Sequence, residues 1–92
     1  MNKGELVNAV AARAGLSKGD ASRAVDSTFE AITRALQSGD EVKVVGFGSF
    51  LIAERAAGEA RNPRTGEKVM VPAQKTPKFR AGQQLRSAVN SQ

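Results

Sequence analysis

The residues best suited to chemistry cluster in one short segment, Ala60 to Lys68, which reads Ala-Arg-Asn-Pro-Arg-Thr-Gly-Glu-Lys. It contains three cations, Arg61, Arg64 and Lys68, against the single anion Glu67. Proline fixes the φ angle of a turn's second position, and glycine tolerates the positive φ that a chain reversal needs. The segment therefore predicts a turn between two strands. Because its apolar members are too small to build a core, the chemistry expected at this tip is the binding of an anion.

The net positive charge of the chain is confined to its second half. Residues 1–40 contain five cations and five anions, whereas residues 41–92 contain nine cations and four anions, which accounts for the entire net charge of +5. Arginine and lysine also occur on ordinary solvated hairpins, so the tip segment alone does not decide between the two interpretations. The charge distribution favours binding, because a basic region of this kind is typical of proteins that bind nucleic acid or an anionic membrane.

Catalytic chemistry has few candidate residues in this chain. Histidine and cysteine are both absent, which removes the commonest general base, the thiol nucleophile and the ordinary zinc ligands. The serines, threonines and lysines have no evident partner base, and the nine carboxylates are scattered through charge-balanced segments or lie beside arginines. We therefore expect no enzyme, no metal site and no cofactor.

Two helices are predicted in the neutral first half. The first has apolar residues at helical spacing and ends at Gly15, a typical left-handed cap. The second begins near Lys18 after an N-cap at Ser17 and ends at Gly39. Its apolar stripe consists of Ala21, Val25, Thr28, Phe29, Ile32 and Leu36. A DNA-reading helix-turn-helix is disfavoured, because the exposed charges of the second helix are balanced in sign.

The pattern changes to strands from Glu41 onward. Alternating residues on either side of Gly46-Phe47-Gly48 predict two strands that meet at a glycine turn. Beyond the basic tip a further strand returns, with Pro72 and Pro77 restricting it to an edge or a bulge. These features predict a thin two-stranded ribbon, and apolar residues after Gly82 predict a short closing helix.

The four aromatic residues bear on the size of the core. Their positions indicate packing rather than base stacking, and strand alternation turns Phe79 inward between its neighbours Lys78 and Arg80. The four are Phe29, Phe47, Phe50 and Phe79. If the ribbon projects into solvent, only about 70 residues remain for a core, a size at which domains need disulfides, metals or oligomerisation. Self-association is the remaining route. No apolar run reaches the ~18 residues of a spanning helix, and no secretory signal precedes Lys3, so we expect a cytoplasmic protein without membrane contact.

Several spaced motifs resemble the bacterial histone-like HU and IHF family, and HU most closely. The matching positions are Gly46 to Phe50, Arg55, Arg61 to Gly66, Pro77, Phe79, Gly82 and Leu85, with Met1 to Lys3 and Gly39-Asp40. The resemblance covers essentially the whole chain. It implies an α+β fold with two N-terminal helices, an antiparallel sheet with a long protruding β-ribbon arm, and a short C-terminal helix, assembled as an intertwined dimer. One domain would span residues 1–92, with a helical base at about 1–40, the saddle sheet and arm at about 41–81, and the last helix at about 82–91.

The resemblance also implies a function. The family bends, wraps and compacts bacterial chromosomal DNA in the nucleoid without sequence specificity, with its arms in the minor groove; HU and IHF are themselves standard examples of minor-groove architectural proteins. Pro63 would be the intercalating wedge, and bent, nicked or junction DNA would be preferred. The other DNA contacts implied are Arg61, Asn62 and Arg64 at the tip, Arg55, Lys68, Lys75, Lys78 and Arg80 on the arm and saddle, and Lys3, Lys18 and Arg86 on the body. The four phenylalanines would form the core of the homodimer.

Three departures and three alternatives accompany this resemblance. Gly58, Ala60 and Gln83 stand where members usually carry arginine, glycine and lysine, so we expect fewer phosphate contacts than a typical member makes. The chain could instead be one subunit of a sequence-specific IHF-type heterodimer with a paralogous partner. It could be a small basic RNA-binding protein, although readers of single-stranded RNA usually stack bases on exposed aromatics. It could also be an adaptor whose ribbon meets an acidic protein.

Overall fold

The computed structural model describes residues 1–91, which form helices and antiparallel strands. In chain order these are α1 (Lys3–Ala14), α2 (Lys18–Gln37), β1 (Val42–Val44), β2 (Gly48–Arg55), β3 (Gly58–Arg61), β4 (Lys68–Val71), β5 (Gln74–Ala81) and α3 (Gln83–Asn90). This is the α+β order expected from the sequence, with the strands between two N-terminal helices and one C-terminal helix.

The helix boundaries follow from local caps. Ser17 accepts a hydrogen bond from the Asp20 backbone N–H through its hydroxyl oxygen at 3.1 Å, as predicted for the start of α2. Gly15 ends α1 with a φ of 68°, which is the left-handed conformation that glycine favours. The side-chain oxygen of Asn2 accepts from the Glu5 N–H at 2.8 Å and caps the start of α1. This last cap was not predicted, although an asparagine three residues before a glutamate is a recognisable signal.

The core of the single chain is small. Among residues 1–91, the buried apolar side chains are Ala11, Ala21 and Val25, and no large side chain is fully buried. These residues lie between α1 and α2, and α2 also contacts β1 and β2. Farther along the predicted stripe of α2, Phe29 is still 49% exposed. The apolar face of α2 therefore continues past the area that the rest of the chain covers.

Three strands form an antiparallel sheet in the order β1-β2-β5. Val42 on β1 lies opposite Phe50 on β2, and Phe50 lies opposite Phe79 on β5. Within the chain β5 is an edge strand, and it carries Pro77 opposite Ile52. The expectation that proline would be confined to an edge is confirmed.

The strands β3 and β4 with the turn between them form a two-stranded projection, which we call the ribbon (residues 58–71). Its pairing runs from Gly58 opposite Val71 to Arg61 opposite Lys68. Two residues on each side, at 56–57 and 72–73, separate the ribbon from β2 and β5, where pairing ends with Arg55 opposite Gln74. The register is therefore the same on both sides of the interruption. Pro72 lies within it and has no backbone N–H to donate.

Phe47 lies in the turn between β1 and β2, where the sequence predicts a glycine turn at Gly46-Phe47-Gly48. Its N–H donates to the Val44 carbonyl at 2.9 Å, and its carbonyl accepts from the Gly82 N–H at 2.8 Å. The turn places the ring 5.4 Å from the ring of Phe79, which is 4.9 Å from that of Phe50. Three of the four phenylalanines thus form one cluster, in which Phe47 is 44% and Phe79 43% exposed.

The shape of the chain is extended. Its radius of gyration is 18.8 Å and its principal extents are 58 × 33 × 27 Å. A compact domain of this length has a radius of gyration of about 12 Å. The chain is extended and has few buried side chains. A single copy therefore leaves much of its apolar surface uncovered.

Candidate nucleic-acid interface

The tip of the ribbon is closed by its own hydrogen bonds. The Asn62 N–H donates to the Glu67 carbonyl, and the Gly66 N–H donates to the Asn62 carbonyl, both at 2.7 Å. The Asn62 side-chain oxygen accepts from the Arg64 N–H at 2.9 Å, a local bond that is typical of asparagine in turns. Gly66 has a φ of 74°, as a reversal requires. Pro63 is exposed within this turn, so its rigid ring is presented to solvent at the end of the ribbon.

The two faces of the ribbon differ in charge. Because side chains alternate along a strand and directly opposite residues share a face, the register sorts the eight paired residues into two sets. The cationic face comprises Glu59, Arg61, Lys68 and Met70. The uncharged face comprises Gly58, Ala60, Val69 and Val71. Two of the positions that depart from the family pattern, Gly58 and Ala60, are on the uncharged face.

The cations at the tip are available to a ligand. Within residues 1–91, Arg61 and Arg64 form no ion pair, and both are exposed. Lys68 lies 3.9 Å from the Glu59 carboxylate, with both side chains more than half exposed. An exposed pair at this distance contributes little, because solvent screens it. The positive charge of the ribbon is therefore not neutralised by the chain itself.

The basic residues below the ribbon lie on two faces of the sheet. Lys78 and Arg80 are opposite Leu51 and Ser49, and Arg55 shares their face by strand alternation. Lys75 is opposite Glu54, on the other face. It lines a depression with Leu36 of α2, beside Ile52 and Pro77. The structure thus groups Arg55, Lys78 and Arg80 and separates Lys75 from them, a distinction that strand alternation in the sequence would have supplied.

The basic residues predicted on the body occupy two places. Lys3 and Lys18 line one shallow depression where the first turns of α1 and α2 meet. The Lys3 ammonium lies 2.6 Å from the Asp26 carboxylate, an ion pair that was not predicted because it joins residues distant in sequence. Arg86 is exposed on α3.

Within the described part of the chain, no three potential metal-ligating side chains form a group. No helix among these residues combines the length and apolar character needed to cross a membrane.

Comparison with known proteins decides the family. The family model described as bacterial DNA-binding protein matches residues 1–90. The chain belongs to this family. Two similar relatives are DNA-binding protein HU-1 of Halalkalibacterium halodurans, 58% identical and covering 98% of this chain and 100% of the relative, and DNA-binding protein HU of Geobacillus stearothermophilus, 55% identical and covering 97% and 99%.

A solved structure extends the similarity to three dimensions. The structure of Anabaena HU in a cocrystal with DNA matches with a TM-score of 0.86 and 48% identity over 100% of both chains. The predicted assignment to the HU and IHF family is therefore confirmed, as are the fold class and the architectural DNA-binding function.

Proposed function

We propose that this protein binds double-stranded DNA with little regard to sequence and bends it, with the ribbon in the minor groove and Pro63 as the wedge between base pairs. The observation that carries the proposal is the tip, where an exposed proline ring stands on a ribbon with unneutralised cations. An apolar ring inserted at a base step costs a few kcal/mol of unstacking, which contacts along the bent duplex offset.

The remaining basic residues extend this contact along the duplex. Arg61, Asn62 and Arg64 would follow the groove, because they flank Pro63 at the tip. Further phosphate contacts would come from Arg55, Lys68, Lys78 and Arg80, from Lys75 on the opposite sheet face, and from Lys3, Lys18 and Arg86 on the body. Lys3 would exchange its Asp26 partner for a phosphate or share it between the two.

We further propose that the active form is a homodimer. The apolar stripe of α2 and the phenylalanine cluster are only partly covered within one chain; Phe29, Phe47 and Phe79 are 43–49% exposed, and Phe50 is half-buried. A second copy would cover these rings and supply a second ribbon. Residues 1–92 would act as one unit, with a helical base, a sheet with its arm, and a closing helix.

The same features support low sequence specificity and a binding role. The minor groove presents a nearly degenerate pattern of hydrogen-bonding groups, so arginines there gain affinity with little base information. All four phenylalanines lie outside the ribbon, which leaves it without a stacking platform for single-stranded RNA. We propose a role without catalysis, on chromosomal DNA in the nucleoid of the cytoplasm, with bent, nicked or junction DNA preferred.

Measuring end-to-end distance in a doubly labelled duplex tests the wedge. Pro63→Ala should bend the duplex less than the parent protein and lose most of the preference for nicked over intact DNA, while salt-dependent binding to intact DNA stays nearly unchanged. Thr65→Ala is the matched control, because it alters the same tip but keeps the proline ring. Equal bending by the parent and by Pro63→Ala would make Pro63 an ordinary turn residue.

A further inference from the structure

Met70 places a sulfur-containing side chain on the exposed surface of the ribbon. The chain contains two methionines and no cysteine, so Met1 and Met70 carry all of its sulfur. Met70 is 73% exposed although it lies within β4, and Met1 at the chain start is 87% exposed. Core packing does not hold this residue, so most of it is open to solvent.

The register places this sulfur on the cationic face of the ribbon. Met70 lies opposite Glu59, and the next pair on the same face is Arg61 opposite Lys68. The Lys68 and Glu59 side chains approach each other within 3.9 Å, as expected for residues on one face. If the ribbon lies along DNA as proposed above, Met70 supplies an apolar contact between the charged residues that hold the phosphates.

We propose that Met70 is a site of reversible oxidation by peroxides, and that its sulfoxide weakens binding of DNA by the ribbon. This inference rests on the proposed function, because it requires the cationic face to contact DNA. Because Met70 is 73% exposed, a small hydroperoxide reaches this residue with no opening of the fold.

The chemistry needs only the thioether and the peroxide. A sulfur lone pair attacks one peroxide oxygen, the S–O bond forms, and the O–O bond breaks. When the oxidant is hydrogen peroxide, the departing hydroxide takes up the proton released from the oxygen now bound to sulfur, and leaves as water. Sulfur loses two electrons and the peroxide gains them. A dithiol-dependent sulfoxide reductase reverses the step, removing the oxygen as water with two electrons and two protons.

Oxidation changes what the cationic face presents. The sulfoxide oxygen is polar and accepts hydrogen bonds, whereas the thioether is flexible and apolar. On this face the new oxygen would meet phosphates and groove acceptors, which it repels, and it would compete with them for the Arg61 and Lys68 side chains. We expect affinity for a nicked duplex to fall by about threefold to tenfold, since a dimer carries two such sites.

The first experiment maps the contact. The purified protein is treated with hydrogen peroxide, with or without an excess of nicked duplex, and oxidation at each methionine is quantified by peptide mass spectrometry. Met1 serves as the internal reference. DNA should slow oxidation of Met70 severalfold and leave Met1 unaffected. Equal rates at Met70 with and without DNA would overturn the inference.

The second experiment measures the consequence. The oxidised parent should bind the nicked duplex more weakly, and treatment with a sulfoxide reductase should restore binding. Met70→Leu keeps an apolar side chain without sulfur, so its affinity should be the same before and after peroxide, although Met1 still oxidises. Unchanged affinity of the oxidised parent, or an equal loss in Met70→Leu, would overturn the inference. Bending by the unoxidised protein is measured in parallel, so failure of the proposed function is seen separately.

Discussion

Gly48 is the position at which a side chain would disturb the sheet most. A Cβ atom added there would lie 2.5 Å from the Arg80 carbonyl oxygen and 2.6 Å from Cζ of Phe79. The carbonyl belongs to the backbone of the paired strand β5, so it cannot move away without breaking the sheet pairing. The glycine is therefore required by close approach of β5 and of the phenylalanine ring.

Gly48→Ala should be destabilised by about 1–3 kcal/mol, the usual cost of overpacking a filled site. Chemical denaturation monitored by circular dichroism measures the difference. Gly58→Ala is the matched control, because nothing lies within 4 Å of a Cβ at that position and its φ is not positive. It should be as stable as the parent or slightly more so. Equal stability of Gly48→Ala and Gly58→Ala would contradict this close packing around Gly48.

The glycines also show which residues a sequence can explain. Gly15 and Gly66 were predicted as reversal positions because their roles depend on neighbouring residues in the chain. The constraint on Gly48 comes from Phe79 and Arg80, which are distant in sequence. The sequence showed a glycine turn there, but it could not show which atoms approach it.

At the scale of elements, the charges of the ribbon would serve DNA binding and do not contribute to the packing of the fold. The cations of the ribbon are exposed, so changing them should alter DNA binding without altering the fold. For about 6–10 phosphates neutralised per dimer, the logarithm of the affinity should fall with the logarithm of salt concentration with a slope of roughly −5 to −9. Binding that is insensitive to salt would contradict the proposed interface.

Arg61→Ala should weaken binding to all DNA sequences alike and reduce the magnitude of the salt slope by about 2, because each dimer loses two contacts. Fluorescence anisotropy at several salt concentrations measures both quantities. Arg34→Ala is the matched control, since Arg34 is paired with Glu30 at 2.7 Å on α2. It should leave affinity and slope unchanged. A loss confined to one DNA sequence would instead assign Arg61 a base-reading role.

Gly58→Arg tests the uncharged face of the ribbon. The position has open space and shares its face with Ala60 and Val69, so an arginine fits without strain. If this face also lies near phosphates, affinity should rise and the salt slope should steepen by about 1–2 per dimer. Gly58→Gln, of similar length but uncharged, is the control. No gain from the arginine would show that DNA contacts the cationic face alone.

Local sequence patterns account for what could be predicted of the ribbon. The turn, its proline and its two strands were predicted because turn chemistry is local. The sequence-based prediction grouped Lys75 with Lys78 and Arg80. Side chains alternate along a strand, so Lys75 lies on one face of the sheet and the other two lie on the opposite face. Lys3 was predicted as a DNA contact on the body, and its pairing with Asp26 could not be predicted because it depends on how α1 packs against α2.

At the scale of the whole molecule, the extended chain and its small core predict that folding depends on association. The midpoint of thermal unfolding should rise with protein concentration, because a second copy stabilises only the folded state. Calorimetry over a wide concentration range, together with the solution mass, measures this. A midpoint that is independent of concentration, found with a monomer mass, would contradict the dimer.

Phe47→Ala tests the same dependence of stability on association, through one aromatic ring. If the partner copy buries this phenylalanine, its removal should cost about 3–5 kcal/mol. Val69→Ala on the ribbon is the control for loss of a comparably exposed apolar side chain, since Val69 is 43% and Phe47 44% exposed in one chain. The control should be nearly as stable as the parent. A Phe47→Ala protein of parental stability would show that the ring stays exposed in the assembly.

The unbroken register across the interrupted pairing at residues 56–57 and 72–73 restricts how the length of this projection can change during evolution. Adding one residue to each strand below the tip would turn every outer side chain to the opposite face, so the arginine and lysine pair would exchange places with the valines. Adding two residues to each strand restores the arrangement. Relatives with longer or shorter projections are therefore expected to differ by steps of four residues in total, and an insertion of any other size should be accompanied by a bulge.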